Sequence, residues 1–301
     1  MGENLMQRRD FLAGTFVAGA TALAKGAPPR SQEFFPCLNE ATTLDAPFEK
    51  DCEAYSEAGF KHIELWFGKL RKQGLKPPQV ERLLRQHGLT PSSACASEAG
   101  LWRQRKSLES LLPDFERNFE MAQALGVPRY ILFSSATGLV TQDDYHAAVE
   151  RFVRIAELAA RYKVRIALEF IARSALFGSL ISSLRLLREA RQPNAGVCLD
   201  TFHFFVGVSK FDDLHELRPG EVEHVHFHDV PRSIPREILV DANRVPPGRG
   251  VIPLKQITAA LHRIGYRGNL STELFGARYQ KGDPFSVAKL CYKALEPYCS
   301  A

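Results

Sequence analysis

Four side chains able to hold a divalent metal ion, Glu169, Asp200, His226 and Glu273, each stand near the end of a short apolar run that reads as a β-strand. The runs are VRIALEF (164–170), GVCLD (196–200), EHVHFH (223–228) and NLSTELF (269–275), and each is separated from the next by enough chain for a helix. Successive side chains of a strand point to opposite faces. Val164, Ile166 and Leu168 therefore face outward, leaving Ala167 and Glu169 inward; Leu199 lies out with Cys198 and Asp200 in. In the last run Leu270, Thr272 and Leu274 lie out, with Ser271 and Glu273 in. The inner face is thus small below and ionisable at the tip. Three carboxylates and one imidazole make a hard-leaning donor set that suits Mn²⁺, Mg²⁺ or Co²⁺ and accepts Zn²⁺, with open positions left for a substrate. Gathered without a cation, three buried carboxylates would raise one another's pKa until at least one protonated. One glutamate at a strand end is ordinarily a surface residue, but four donors at corresponding positions are the mark of a site.

Other residues could complete it. His203, in LDTFHFF, lies just past a strand tip within reach of a substrate oxygen. Arg244 sits in the Pro/Gly-stiffened DANRVPPGRG (241–250) and can reach the same place. His224, His226 and His228 share one face at two-residue spacing, so the pattern leaves the ligand among them open, although the middle one is best placed in depth. Asn39 and Glu64 end the first two strands, and Trp66 and Trp102 offer an apolar wall.

The elements that must position these groups recur along the chain. A helical stretch ends in Gly and an apolar residue opens a strand in EAGFKHIELW (57–66), QHGLTPSSAC (86–95), ALGVPRYILF (124–133) and RIGYRGNLSTELF (263–275). Amphipathic segments such as QDDYHAAVERFVRIAELAARY and PLKQITAALHRI lie between. With FFPCLNEATT (34–43) as the first strand, eight strands can be counted, and no Pro/Ser-rich linker divides them. The fold expected is a single-domain (β/α)₈ TIM barrel over 34–298, whose chemistry sits at the strand C-termini; 301 residues, 45% of them hydrophobic, suffice for an architecture of about 250.

Residues 1–27 read as an export signal: Gln7-Arg8-Arg9-Asp10-Phe11-Leu12 followed by the weakly apolar AGTFVAGATALA. That run is too short for a membrane span, and Cys37 lies too far on for a lipid anchor. The Arg pair before Phe-Leu resembles a twin-arginine signal and predicts delivery to the periplasm by the twin-arginine machinery. The signal holds Arg8, Arg9 and Lys25 against Glu3 and Asp10, so the net charge of +5 becomes +4 without it. That balance is mild and dispersed, which argues against nucleic acid as a partner. Of the 6 cysteines, Cys37, Cys95 and Cys198 fall in strands and Cys52 and Cys291 in helices, as isolated structural thiols do.

At these residues the chain resembles a known family. CLNEATTLD (37–45), ALEF (167–170), LDTFHF (199–204), VHFHD (225–229), DANRVPPGRG and STELF (271–275) are similar to the xylose-isomerase-like barrels that include sugar epimerases and inosose isomerase, NEATTL and the closing ELF being nearest to the latter branch. The resemblance covers roughly 34–298. It implies that Glu169, Asp200, His226 and Glu273 bind one divalent metal, and that His203 and Arg244 contact substrate. It also implies that Glu169 and Glu273 exchange a proton with a polyhydroxy ketone through a metal-bound enediolate. His228 stands where the inosose isomerase branch typically has an acidic residue. The related three-zinc apurinic endonucleases need extra histidines where this chain has Glu64-Leu65-Trp66, Ala94-Cys95 and Asn243-Arg244-Val245, so one metal and no DNA is expected. A sugar dehydratase on the same scaffold, or a non-catalytic sugar-binding protein, is the alternative reading.

Overall fold

The computed structural model describes residues 34–96, 100–102 and 107–299; the expected export signal lies outside them. Eight parallel strands close into one barrel in sequence order. They are β1 (Phe34–Asn39), β2 (His62–Trp66), β3 (Thr90–Cys95), β4 (Arg129–Ser134), β5 (Arg165–Phe170), β6 (Ala195–Asp200), β7 (Val222–His226) and β8 (Gly268–Thr272). Closure runs from Phe34↔Gly268 to Leu38↔Thr272. The unit Gln32–Ala301 is compact and undivided, the single-domain TIM barrel that the strand count implies.

Local chemistry sets the element ends. Helix Gln142–Arg161 begins where Thr141 Oγ accepts the Asp144 N–H and Asp144 Oδ2 accepts the Thr141 N–H, a reciprocal cap that satisfies two otherwise orphan donors. Helix Phe48–Ala58 ends at Gly59, whose φ of 108° costs a residue without Cβ little. The same left-handed turn recurs at Gly88, Gly126 and Gly265, the glycines that punctuate the sequence.

β1 stops earlier than its apolar run suggests. Asn39 Oδ1 accepts the Ala41 N–H at 2.8 Å and bends the chain into a 3-10 turn over Glu40–Thr43, so EATT is a turn rather than strand. That loop props up its neighbour: Glu40 Oε2 accepts the Trp66 N–H at 2.8 Å, and buried Lys69 pairs with Glu40 and Asp51. β7 and β8 likewise end at His226 and Thr272, two and three residues short of the expected runs, which leaves Glu273 immediately beyond its strand.

Two apolar layers hold the barrel. Outward residues such as Ile166, Leu168, Val197, Leu199 and Leu270 pack under helices with Phe152, Ile155 and Leu184, each full burial contributing about 1.5–3 kcal/mol. Inside, Cys95, Ile131, Ala167 and Cys198 form a separate small plug. All six cysteines are buried and unpaired. The inward set is therefore low in volume beneath the strand tips, which leaves room for side chains to converge there.

Candidate metal centre

The sequence-predicted donors meet at one point. Glu169 lies on β5, Asp200 and His226 are the last residues of β6 and β7, and Glu273 directly follows β8. One ligand atom from each lies within 4.8 Å of all the others, and all four residues are buried. The Nδ1 of His226 stands 2.8 Å from Glu169 Oε1 and 3.6 Å from both Asp200 Oδ2 and Glu273 Oε2, so a single nitrogen faces three carboxylates.

Electrostatics shows what this gathering demands. Burial pushes the Glu273 carboxyl up to about 8, against the pull of His226 and Arg244. For Asp200 burial also acts to raise the pKa, yet the Arg244 guanidinium beside it holds it well below the usual carboxylate range. Burial alone would lower His226, but Cys198 and the carboxylates of Glu64, Glu273 and Glu169 raise it far above an ordinary imidazole. Arg244 is the fixed cation beside these carboxylates. Asp200 Oδ2 is nevertheless left buried with no hydrogen bond, although Arg244 Nη1 is 3.1 Å away, because the approach is off the N–H direction. An orphaned buried carboxylate oxygen beside two other carboxylates and an imidazole fits a divalent cation.

The other two histidines of β7's inner face are engaged elsewhere. His224 Nε2 contacts Glu64 Oε2 at 2.9 Å and Ser93 Oγ at 3.3 Å, deeper in the barrel. His228 Nε2 accepts the Phe202 N–H at 3.3 Å and lies equally far from Asp200 Oδ1; burial pushes His228 down to about 4, so it stays neutral.

Arg244 and His203 both reach the site. Arg244 is 1% exposed, donates from Nη1 to Glu273 Oε2 at 2.6 Å and from Nη2 to His203 Nε2 at 3.2 Å, and pairs with Asp241. Its guanidinium lies between the rings of Phe202 and Phe275, at 4.8 and 5.0 Å. A Pro/Gly loop does not by itself bury an arginine; Asp229 does it here. Its backbone pairs in both directions with Val245 at 2.8 Å, and its carboxylate accepts N–H groups of Val230, Gly250 and Ile252. Gly250 is required, since a Cβ there would stand 2.0 Å from the Val230 carbonyl oxygen.

Above the cluster opens a cavity of about 550 Å³. Glu169, His203, His226, Asp241, Arg244 and Glu273 supply its polar side, and Trp66, Ile131, Phe133, Ile171 and Phe275 its apolar side. Trp66 is the wall expected of it, edge-on to Phe275 with centroids 6.2 Å apart. Trp102 is not among the described lining residues; the Arg151 guanidinium covers its ring at 4.6 Å instead. Sequence reasoning missed Phe133, Phe275 and Asp241; it named Glu64 at the end of its strand, but not the partners that the structure gives it.

Comparison with known proteins agrees with the barrel fold. A family model described as "Xylose isomerase-like TIM barrel" matches residues 52–291. Inosose isomerase of Halalkalibacterium halodurans is 28% identical over 254 residues, covering 81% of this chain and 88% of that protein. The 3-dehydroshikimate dehydratase of Pseudomonas putida is 24% identical over 235 residues, which are 77% of this chain but 37% of the dehydratase. Among solved structures, the IOLI protein with a binding zinc atom superposes with a TM-score of 0.80 at 24% identity, over 89% of this chain and 98% of that one.

Proposed function

Because this chain belongs to the xylose isomerase-like TIM barrel family, we propose that it is a divalent-metal-dependent isomerase or epimerase that moves a proton on an inosose or a related keto-sugar. The observation that carries this reading is the convergence of Glu169, Asp200, His226 and Glu273 on one point at the floor of a cavity large enough for such a substrate. These four residues would hold one ion. The similarity to inosose isomerases names the substrate class. The donor set favours Mn²⁺, with Mg²⁺, Co²⁺ and the zinc of the IOLI structure as the other candidates.

When bound, the ion supplies a Lewis acid for a carbonyl and its neighbouring hydroxyl, which acidifies the C–H between them. The rest is done by side chains. One of Glu169 and Glu273 takes the proton and the other returns it, to the opposite face for epimerisation or to the adjacent carbon for isomerisation. Arg244, fixed against Glu273, and His203 beside it hold substrate oxygens on the polar side, while Trp66 and Phe275 exclude water from the other.

A panel of inososes and keto-sugars incubated in D₂O with Mn²⁺ should show solvent deuterium in at least one substrate; no exchange in any of them would leave a binding protein as the better reading. A dehydratase is the second reading, favoured by the resemblance to 3-dehydroshikimate dehydratase, and it would release a dehydrated product in the same assay. Fully loaded protein should contain one metal per chain by elemental analysis. His226→Ala should lower affinity for Mn²⁺ far more than His224→Ala or His228→Ala, and the reverse order in a titration would assign the ligand to another imidazole.

The reading includes export. With Arg8 and Arg9 both changed to Lys, the protein should stay in the cytoplasm, because twin-arginine recognition needs the guanidinium pair. Unchanged delivery of the double variant to the periplasmic fraction would point to another route.

A further inference from the structure

Beneath the metal-ligand cluster lies a second polar layer that metal binding alone does not require. Glu64 on β2 is fully buried, and among the described residues no lysine or arginine pairs with it. Its Oε1 lies 3.0 Å from His226 Nε2; its Oε2 lies 2.9 Å from His224 Nε2 and accepts the Ser271 hydroxyl at 2.7 Å. Branched apolar residues ordinarily fill this depth of a barrel.

Two register shifts build the layer. β2 on β3 passes from Ile63↔Pro91 to Glu64↔Ser93, and β6 on β7 passes from Val197↔Val222 to Cys198↔His224. Each skips one residue, Ser92 or Glu223, and so brings Ser93 and His224 level with Glu64.

We propose that Glu64 is a positioning residue: it fixes the proton of His226 on Nε2, so that Nδ1 presents its lone pair to the metal. The inference rests on the reading that His226 holds that ion. A carboxylate only accepts hydrogen bonds, so a neutral His226 must donate from Nε2 to satisfy Glu64. Without Glu64, the neutral ring is free to place its proton on Nδ1 and donate it to Glu169 Oε1, 2.8 Å away. That tautomer closes the metal position. His224 and Ser271 occupy the other oxygen and keep the Glu64 carboxylate from rotating away.

The test compares Glu64→Gln with the wild-type full chain. An amide has one acceptor oxygen for the three donors and turns its own N–H groups toward the rest. Calorimetric titration with Mn²⁺ should show affinity reduced about 10- to 100-fold with one site retained, as expected for loss of a partner outside the ligand set. Metal-free melting reports any purely structural loss separately. Long-range ¹H–¹⁵N spectra of histidine-labelled wild-type protein loaded with Zn²⁺ should show His226 protonated on Nε2 and metallated on Nδ1, a readout that stands even if the variant does not fold.

Unchanged Mn²⁺ affinity in Glu64→Gln would overturn the inference while leaving the metal centre intact, as would coordination of His226 through Nε2. Glu64, His224 and His226 are themselves close enough to hold an ion. Two metals per wild-type chain, falling to one in the variant, would therefore make Glu64 a ligand and overturn it too. No divalent-ion binding by the wild-type chain would overturn both this inference and the reading of the site.

Discussion

Glu169→Gln and Glu273→Gln should each slow the chemical step by at least about 10²–10⁴-fold, the loss typical of removing a general acid or base, while metal occupancy falls only modestly. Each amide keeps a carbonyl oxygen able to coordinate, but neither can accept a proton from carbon at neutral pH. Glu273 offers the sharper comparison, because Asn39 Nδ2 donates to its Oε1 at 3.1 Å and Arg244 to its Oε2 at 2.6 Å. Both contacts want an acceptor, so the amide must turn a donor toward one of them and Glu273→Gln should bind metal less well than Glu169→Gln. Asp200→Asn should behave in the opposite sense, losing metal first and recovering activity in excess Mn²⁺. Single-turnover deuterium exchange at saturating metal separates the two behaviours. Full recovery of either Gln variant by added metal would show that this glutamate is a ligand only, with His203 the next candidate for the proton.

Arg244→Met should destabilise the metal-free protein by about 3–5 kcal/mol and the metal-saturated protein by distinctly less. Removing one partner of a buried ion pair strands the other. Without the guanidinium, Asp200 and Glu273 lose their only close fixed cation among the described residues, and methionine restores the contacts with Phe202 and Phe275 but not the charge. A divalent ion at the same carboxylates would supply that charge, so the gap between melting temperatures with metal and with chelator should widen. Equal losses in the two conditions would show that Arg244 and the ion compensate different groups. Turnover should fall as well, since Arg244 lines the cavity.

Much of the site was readable because it lies where strand alternation is regular. Glu169 and Asp200 follow from the period of two on β5 and β6, and Glu273 continues the inner face of β8 one residue past its last ladder position. The choice among His224, His226 and His228 was not readable from spacing: all three share one face, and what singles out His226 is an Nδ1 that faces Glu169, Asp200 and Glu273, which come from other strands. The register shifts at Ser92 and Glu223 were not readable either: Pro91 stands beside the first, but nothing in the strand pattern shows that a residue is skipped. The burial of Arg244 was equally hidden, because the motif shows a stiff loop but not the Asp229 carboxylate that draws its backbone inward. Trp102 packs elsewhere: its ring lies under the Arg151 guanidinium, a contact that spacing along the chain does not show.

The proposed ligands all come from β5 to β8, whereas Trp66, Cys95, Ile131 and Phe133, on the facing wall of the cavity, come from β2 to β4. The barrel thus draws its proposed ligands from one half of the chain and much of the apolar wall facing them from the other. Such a partition makes the fold adaptable. Exchanges at Trp66 or Phe133 alter which ring or side branch fits, without disturbing a carboxylate or an imidazole. A lineage can therefore change its diet by remodelling the first half of the barrel while inheriting the second half nearly untouched.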